Sequence, residues 1–174
     1  MRSKPLITTL AAAGLLALAP AFAQPGQANL DDRFLHDAAA GGMMEVELGH
    51  LAMERAASAD VKAFGQRMVM DHGRANQQLT QIATSKGMTL AMTLPPGMQQ
   101  MRDRLARLSG TEFDRMYVQH MIEDHKKDVS EFEKQAEKGT DPSLRTFAQQ
   151  TLPTLREHLM LAESLSGKQA AQKR

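Results

Sequence analysis

The sequence predicts an all-α protein in which four long helices form an antiparallel bundle. Apolar residues recur at helical spacing along four long stretches, and no stretch shows the strict alternation of a β-strand. Ser58 marks a break between the first two stretches, and glycine and proline separate the later ones near residues 87–97 and 139–142, as expected for helix connections. Each of the four apolar stripes also carries one polar residue of a type that binds metal ions. These observations predict the fold and raise the question whether the four polar residues bind a metal ion.

Residues 1–23 have the pattern of a secretory signal peptide. Arg2 and Lys4 precede an apolar run that ends near Pro20, and residues 21–23 (Ala-Phe-Ala) place small side chains at the two positions that a signal peptidase reads. The run is shorter than the ~20 residues of a membrane-spanning helix. We therefore expect cleavage after Ala23 and a periplasmic or otherwise exported chain without a transmembrane segment. An uncleaved membrane anchor is the alternative.

The remaining chain has the size of one domain and little net charge. Loss of Arg2 and Lys4 changes the formal net charge from +1 to −1, because the whole chain has 21 basic and 20 acidic residues. With one Tyr, six Phe and no Trp, it also offers few side chains on which bases could stack, so nucleic acid is not an expected partner. The chain has no cysteine, which excludes disulfides and thiol chemistry.

The first two long helices are predicted over residues 31–57 and 58–86, after a flexible lead-in at residues 24–30. The inward stripe of the first helix contains one charged residue, Glu45. Ser58 suits the N-cap of the second helix, and Gly87 suits its C-terminal end. The inward stripe of this second helix contains His72.

A long connection and a second pair of helices follow. Residues 88–97 are expected to be non-helical and residues 98–108 to form a short helix, although the path of this crossover is left open. Thr111 and Asp114 resemble a capping box at the start of a third long helix, which carries His125 inward and ends at Gly139.

The fourth long helix is predicted to extend to residue 166. Asp141 is its expected N-cap and Pro142 its first residue, and His158 lies on its inward stripe. Pro153 should kink it, because the ring removes a backbone hydrogen bond. Residues 167–174 are expected to form a disordered basic tail.

Counting from the turns predicts that these polar residues meet. Glu45 lies 14 residues before the turn at Ala59 and His72 lies 13 after it, so the two should have almost the same height in an antiparallel pair. His125 and His158 lie 15 residues before and 18 after the turn at Thr140. The bundle should therefore contain a Glu-His-His-His cluster near mid-height.

Such a cluster suits a transition metal, because imidazole nitrogen and carboxylate oxygen are ordinary ligands of zinc, copper and iron. Asp71, Asp124 and Glu157 each directly precede a histidine and could orient a neighbouring imidazole. Met68 and Met121 lie one turn from His72 and His125, where a thioether could reach a soft ion. The residues that carry the metal hypothesis are Glu45, His72, His125 and His158, with Asp71, Asp124, Glu157, Met68 and Met121 in auxiliary roles.

Two other functions remain open. The histidines could be structural residues in the core of an envelope stress or interaction module, with an unidentified protein partner and the methionines as packing. A mononuclear metal oxidoreductase is a third hypothesis, but the Glu-x-x-His pattern of di-iron centres is absent, so binding is favoured over enzymatic activity. His36, His50 and His120 fall outside the inward stripes and are expected to be solvated. The metal, the oligomeric state and any association with the outer membrane are left open.

The ordered motifs of the chain resemble a bacterial envelope family, the ferritin-like domain-of-unknown-function family DUF4142, whose members often carry the label of outer membrane protein. This resemblance extends from about residue 30 to residue 165 and implies a ferritin-like four-helix bundle over residues 31–166, without an established activity. The residues that carry it are Phe34, Ala38-Ala39, Gly42, residues 45–49 (Glu-Val-Glu-Leu-Gly), residues 61–64 (Val-Lys-Ala-Phe), Met68-Val69, Asp71-His72, Phe113-Asp114, Tyr117, Asp124-His125, Phe147-Ala148, Leu152-Pro153 and His158-Leu159.

Overall fold

A computed structural model describes residues 25–171, with side chains described from residue 30 onward. Within this range the chain forms five α-helices joined by short turns and one longer connection, and no strand is present in the described residues. The predicted signal peptide and its cleavage site lie outside the described residues. The helices are α1 (Pro25–Arg55), α2 (Ala59–Ser85), α3 (Pro96–Ala106), α4 (Gly110–Lys138) and α5 (Pro142–Ala171).

Most helix boundaries match the predictions, but both ends of the bundle are longer. α1 begins at Pro25, so most of the stretch expected to be a flexible lead-in is helical. α5 extends to Ala171, into the expected disordered tail, and Lys168 in this extension contacts Asp60 of α2 at 2.7 Å. α5 also continues through Pro153, whose ring lies on the exposed side.

The four long helices form an antiparallel square. α1 packs against α2 and α4, and α5 packs against α4 and α2, so α1 and α5 lie on one diagonal and α2 and α4 on the other. This is the all-α four-helix bundle that the apolar periodicity predicted, in the ferritin-like form that the family resemblance implied. Among the described residues, no helix is long and apolar enough to span a membrane.

The core consists of two apolar clusters with a polar layer between them. One cluster occupies the end of the bundle near the α1–α2 turn and includes Leu48, Phe64 and Tyr117. The other occupies the end near the α4–α5 turn and includes Phe34, where aromatic rings of α1, α4 and α5 pack edge to face. Glu45 and the three predicted histidines lie between these clusters, so the polar layer is enclosed by apolar side chains above and below.

The crossover between α2 and α4 extends along the bundle. Met88 and Leu90 pack against the cluster near the α4–α5 turn, whereas Leu94 and Leu105 are buried in the opposite cluster. Arg102 of α3 reaches Glu47 of α1 at 3.1 Å and holds the short helix on the outside of α1. The crossover, whose path the sequence left open, therefore runs the length of the bundle. It returns the chain to the end near the α1–α2 turn, where α4 begins.

Two aspartates connect the hairpins at opposite ends of the bundle. Asp31 near the start of α1 accepts hydrogen bonds from Thr140 N and Asp141 N, at 3.1 and 2.9 Å, in the α4–α5 turn. Asp114 near the start of α4 accepts the backbone N–H groups of Ala57 and Ser58, at 3.0 and 2.9 Å, in the α1–α2 turn. The capping box predicted for Asp114 is therefore wrong, because its carboxylate caps the other hairpin's turn instead.

In these two connections, each residue of the α1–α2 hairpin corresponds to the residue 83 positions later in the α4–α5 hairpin. Asp31 corresponds to Asp114, and the turn residues 57–58 correspond to 140–141. At the same offset Glu45 corresponds to Asp128. The structure thus repeats one hairpin plan, and the repeat places a second carboxylate opposite Glu45.

Candidate metal centre

The four predicted ligands converge in the polar layer. Their side chains come from four different helices and all are buried: Glu45 is 1% exposed, His72 5%, and His125 and His158 0%. Glu45 Oε2 lies 2.6 Å from His72 Nδ1, and Glu45 Oε1 lies 3.3 Å from His125 Nε2. His125 Nε2 lies 3.3 Å from His158 Nδ1. The heights counted from the two turns are therefore confirmed.

The remaining ring nitrogens fix which way two of the histidines face. His125 Nδ1 lies 3.0 Å from the carbonyl oxygen of Met121, which can only accept, so this nitrogen carries the proton. His158 Nε2 lies 3.0 Å from Asp71 Oδ2 and donates to it. Consequently, the unprotonated nitrogens of both neutral rings, His125 Nε2 and His158 Nδ1, point at each other.

The Glu45 carboxyl group lies close to two imidazole rings but makes no hydrogen bond within residues 30–171. Its contacts with His72 and His125 are short but lack the alignment of hydrogen bonds, so both oxygens are unpartnered within residues 30–171. Burial, and then the negative charge of Asp124, raise the pKa of Glu45 well above its usual range. His72 Nε2 is also buried without a partner there. In the absence of a cation, this layer contains polar groups that the surrounding protein does not satisfy.

Burial also keeps the three imidazoles neutral. It lowers the pKa of His72 and of His158 to about 4, and it lowers the pKa of His125 well below its usual value, with the neighbouring histidines adding to the effect. Neutral imidazole is the form that binds metal ions. The three rings therefore keep free nitrogens over a wide pH range.

The auxiliary residues behave differently from one another. Asp71 contacts a histidine, but the one on α5, His158, rather than its sequence neighbour. Burial acts to raise the pKa of Asp71, yet hydrogen bonds from His158 and Arg67 outweigh burial and the pKa is lowered. Glu157 is exposed and binds Arg67 Nη2 at 2.7 Å.

The two methionines are fully buried. Met121 acts through its carbonyl group, which accepts from His125. Met68 packs where α2 crosses Gly49 of α1. The donor atoms that Glu45 and the three histidines contribute are oxygen and nitrogen.

Three residues of the site were not singled out by the sequence patterns. Asp128 lies with Asp124 and Glu45 in a group whose carboxylate oxygens are within 4.8 Å of one another. Its position three residues after His125 on the same helix face was the available signal. Tyr117 is fully buried with an unpartnered hydroxyl group, and His120, expected to be solvated, has a buried, unpartnered Nε2 within the described residues.

Asp128 differs from an ordinary surface aspartate. Burial raises its pKa well above the usual range, and the charges of Glu45 and Asp124 add to this increase. The charge of Lys127 acts against this increase, but in the described ion pairs Lys127 joins Glu131 and Lys126 joins Glu163 rather than Asp128. The candidate metal centre therefore has an imidazole side and a carboxylate side, with Glu45 in both.

Comparison with solved structures identifies the same fold in other bacterial proteins. A "putative secreted protein DUF305" from Streptomyces coelicolor has a TM-score of 0.70 and 15% identity, with 81% of this chain and 92% of that one covered. A DUF305 fragment from Deinococcus radiodurans also has a TM-score of 0.70, with 16% identity and coverages of 80% and 96%. A conserved hypothetical protein from Mycobacterium tuberculosis has a TM-score of 0.61, with 14% identity and coverages of 81% and 93%. At these identities the likeness concerns the fold alone.

Sequence comparison gives the family. No curated protein matches the sequence. The sequence profile of DUF4142, described as a domain of unknown function, matches residues 17–165, which is most of the chain. This range contains α1, α2 and α4, most of α5, and every residue of the candidate centre. The chain belongs to the DUF4142 family.

Proposed function

We propose that this protein is an exported bundle that binds a transition-metal ion through Glu45, His72, His125 and His158. Its role would be to buffer or sense the metal in the bacterial envelope. Export is supported by the signal-like pattern of residues 1–23 and by the secreted character that the name of the Streptomyces relative states. Metal binding is supported by the geometry and protonation of the polar layer.

The observation that carries the proposal is the pair of facing nitrogens. His125 Nε2 and His158 Nδ1 are both acceptors, 3.3 Å apart, in a fully buried place. Two lone pairs at this separation repel each other unless a proton or a cation lies between them, and burial opposes protonation. Neighbouring ligands around a tetrahedral zinc ion with bonds of ~2.05 Å are about 3.3 Å apart. A cation would therefore turn a repulsive contact into two bonds.

The unpartnered carboxyl group supports the same proposal. A buried polar group without a partner costs about 1–3 kcal/mol, and Glu45 and His72 contribute three such atoms. A bound cation would satisfy them and would return Glu45 to its ionised form. Asp71 would then hold the His158 ring in the orientation that presents Nδ1. With nitrogen and oxygen donors, zinc, iron and cupric copper fit better than an ion that requires sulfur.

The test is the metal content of the exported protein, purified without a histidine tag. We expect wild type to bind zinc stoichiometrically, and zinc to raise the midpoint of thermal unfolding. At a free zinc concentration 1,000-fold above Kd, binding adds ~4 kcal/mol to the free energy of unfolding. The variant His125→Ala/His158→Ala should lose both effects.

The double variant His36→Ala/His50→Ala is the matched control, because it removes two exposed histidines of α1 and leaves the layer intact. It should bind zinc like wild type. If wild type binds no zinc, copper or iron, the proposal is wrong, and the alternative of an envelope module with structural histidines is then favoured.

A further inference from the structure

We infer that the polar layer has a second cation position, formed by the carboxylates of Glu45, Asp124 and Asp128 next to the imidazole position. Glu45 would belong to both positions, so the complete centre would hold two divalent cations. This inference rests on the proposed function for its first ion and goes beyond it in assigning a second. The ligand class is a divalent cation that prefers oxygen donors.

The first argument is electrostatic. Three carboxyl groups have oxygens within 4.8 Å of one another, and two of them, Asp124 and Asp128, are one turn apart on α4. Like charges at this helical spacing destabilise a helix. Lys126 and Lys127 pair with Glu163 and Glu131, and none of the described ion pairs joins a lysine or arginine to Asp124 or Asp128. A divalent cation is the counterion that such a group lacks.

The second argument is independent of charge and concerns Glu45 itself. This side chain is 1% exposed, and neither oxygen has a hydrogen-bond partner in residues 30–171, although one of them would suffice to bind an ion at the histidines. A carboxylate with two unsatisfied oxygens can bridge two ions. Pairs of ions in two-metal sites are ~3.5–4 Å apart, which a bridging carboxylate spans.

The third argument is space. A cavity of about 20 Å³ lies beside the layer, and its walls include Glu45, His72 and Asp128 from three helices. That volume accommodates about one water-sized ligand. The cavity adjoins two of the three carboxyl groups, those of Glu45 and Asp128, and gives room there for a ligand that the protein does not supply.

The fourth argument is the internal repeat. Glu45 and Asp128 are equivalent under the 83-residue offset that relates the two aspartate connections at the ends of the bundle. The hairpins thus bring matching carboxylates to the middle of the bundle from α1 and α4, which pack directly against each other. Carboxylate oxygens favour Mn²⁺, Mg²⁺ or Ca²⁺, whereas imidazoles favour zinc or copper. The two positions should therefore differ in metal preference.

The experiment loads metal-free protein with one equivalent of zinc and then adds Mn²⁺, with bound metal measured after equilibrium dialysis. Zinc binds nitrogen and oxygen sites more tightly than Mn²⁺ does, so the manganese should report on the second position. We expect wild type to hold one zinc and one Mn²⁺, and Asp124→Asn/Asp128→Asn to hold one zinc and no Mn²⁺. Glu123→Gln, an exposed acid on the same helix, is the control and should bind both ions.

The unfolding temperature distinguishes a folding defect of the asparagine variant from a loss of Mn²⁺ binding. Because the asparagines remove like-charge repulsion, the metal-free Asp124→Asn/Asp128→Asn variant should unfold at a temperature equal to or above that of wild type, while losing the further increase that Mn²⁺ gives. One zinc but no Mn²⁺ in wild type would overturn the second position and leave the proposed function standing. Retention of Mn²⁺ by the asparagine variant would also overturn it. Absence of zinc binding in wild type would overturn both.

Discussion

At the scale of single residues, the acids that precede the histidines divide into different roles. Asp71 and Glu157 both bind Arg67, at 3.2 and 2.7 Å, but Asp71 alone of the two also accepts from an imidazole of the layer. That contact reaches across from α2 to α5, and it decides which nitrogen of His158 is free. The spacing along the sequence could not separate these two residues, because each stands next to a histidine on its own helix.

We expect Asp71→Asn to weaken zinc binding by about 10–100-fold, because a neutral amide holds the imidazole less firmly and lowers its basicity. The measurement is competition for zinc with a coloured chelator at constant pH. Glu157→Gln removes an acid that contacts the same arginine and should leave the affinity within about twofold of wild type. Equal losses in the two variants would mean that Asp71 acts through the surface charge network and not through His158.

At the scale of helices, the closeness of α1 and α2 brings Glu45 to His72. A Cβ atom added to Gly49 would lie 2.6 Å from the carbonyl oxygen of Gly65, and one added to Gly65 would lie 2.6 Å from Cβ of Ala52. The two backbones therefore touch one turn of α1 away from Glu45. Larger residues here would move the helices apart at the height of the proposed site.

Gly49→Ala should reduce the free energy of unfolding by about 1–3 kcal/mol, the usual cost of overpacking, because the contact is with backbone that cannot rotate away. Gly41→Ala in the same helix is the control: nothing lies within 4 Å of its added Cβ, so the change should stabilise by up to ~1 kcal/mol through helix propensity. Urea unfolding of metal-free protein measures both. A Gly49→Ala variant as stable as Gly41→Ala would show that the helices separate at no cost.

At the scale of the whole molecule, the buried layer makes the stability of metal-free protein depend on pH. The pKa values of His72 and His158 are lowered to about 4 from 6.5, so between these values the unfolded chain binds more protons than the folded one. Their contribution is present above about pH 6.5 and is lost as the pH falls toward 4. Glu45, with a raised pKa, acts in the opposite direction: its contribution is present below pH 4.5 and is lost as the pH rises through its folded pKa.

Because the three histidines outnumber the two carboxyl groups with raised pKa values, Glu45 and Asp128, we expect metal-free protein to lose stability as the pH falls from about 6.5 to about 4. Asp31 should extend this loss of stability to pH values below 4. Burial favours its neutral form, but hydrogen bonds from the α4–α5 turn and from Gln135 outweigh burial and lower its pKa. Thermal unfolding followed by circular dichroism between pH 4 and 8 is the measurement.

The variant Glu45→Gln removes one of the two opposing titrations, so its stability should fall more steeply with decreasing pH than that of wild type. The increase in unfolding temperature on adding zinc to wild type should shrink as the pH falls, because protons compete for the ligands. A metal-free unfolding temperature that does not change between pH 4 and 6.5 would contradict the burial of neutral histidines.

Much of this molecule was predictable from local sequence. Helical spacing of apolar residues gave the four long helices, and counting from the turns at residues 59 and 140 matched the height of Glu45 with His72 and of His125 with His158. Both succeed because helix rise and side-chain period are fixed by backbone geometry. The Asp141 cap of α5 was also predictable, and its side chain accepts from Ser143 N and Leu144 N at 3.0 Å.

The sequence by itself therefore determined the helices, the family and the layer in which four polar residues meet. The tertiary structure alone decided which groups face one another there: Asp71 on His158, Asp114 on the opposite turn, Asp128 beside Glu45, and two imidazole nitrogens aimed at each other. The physical reason is that height along a helix depends on residue number, whereas rotation about its axis and the choice of partner depend on how four helices pack. Contacts between hairpins are set by that packing.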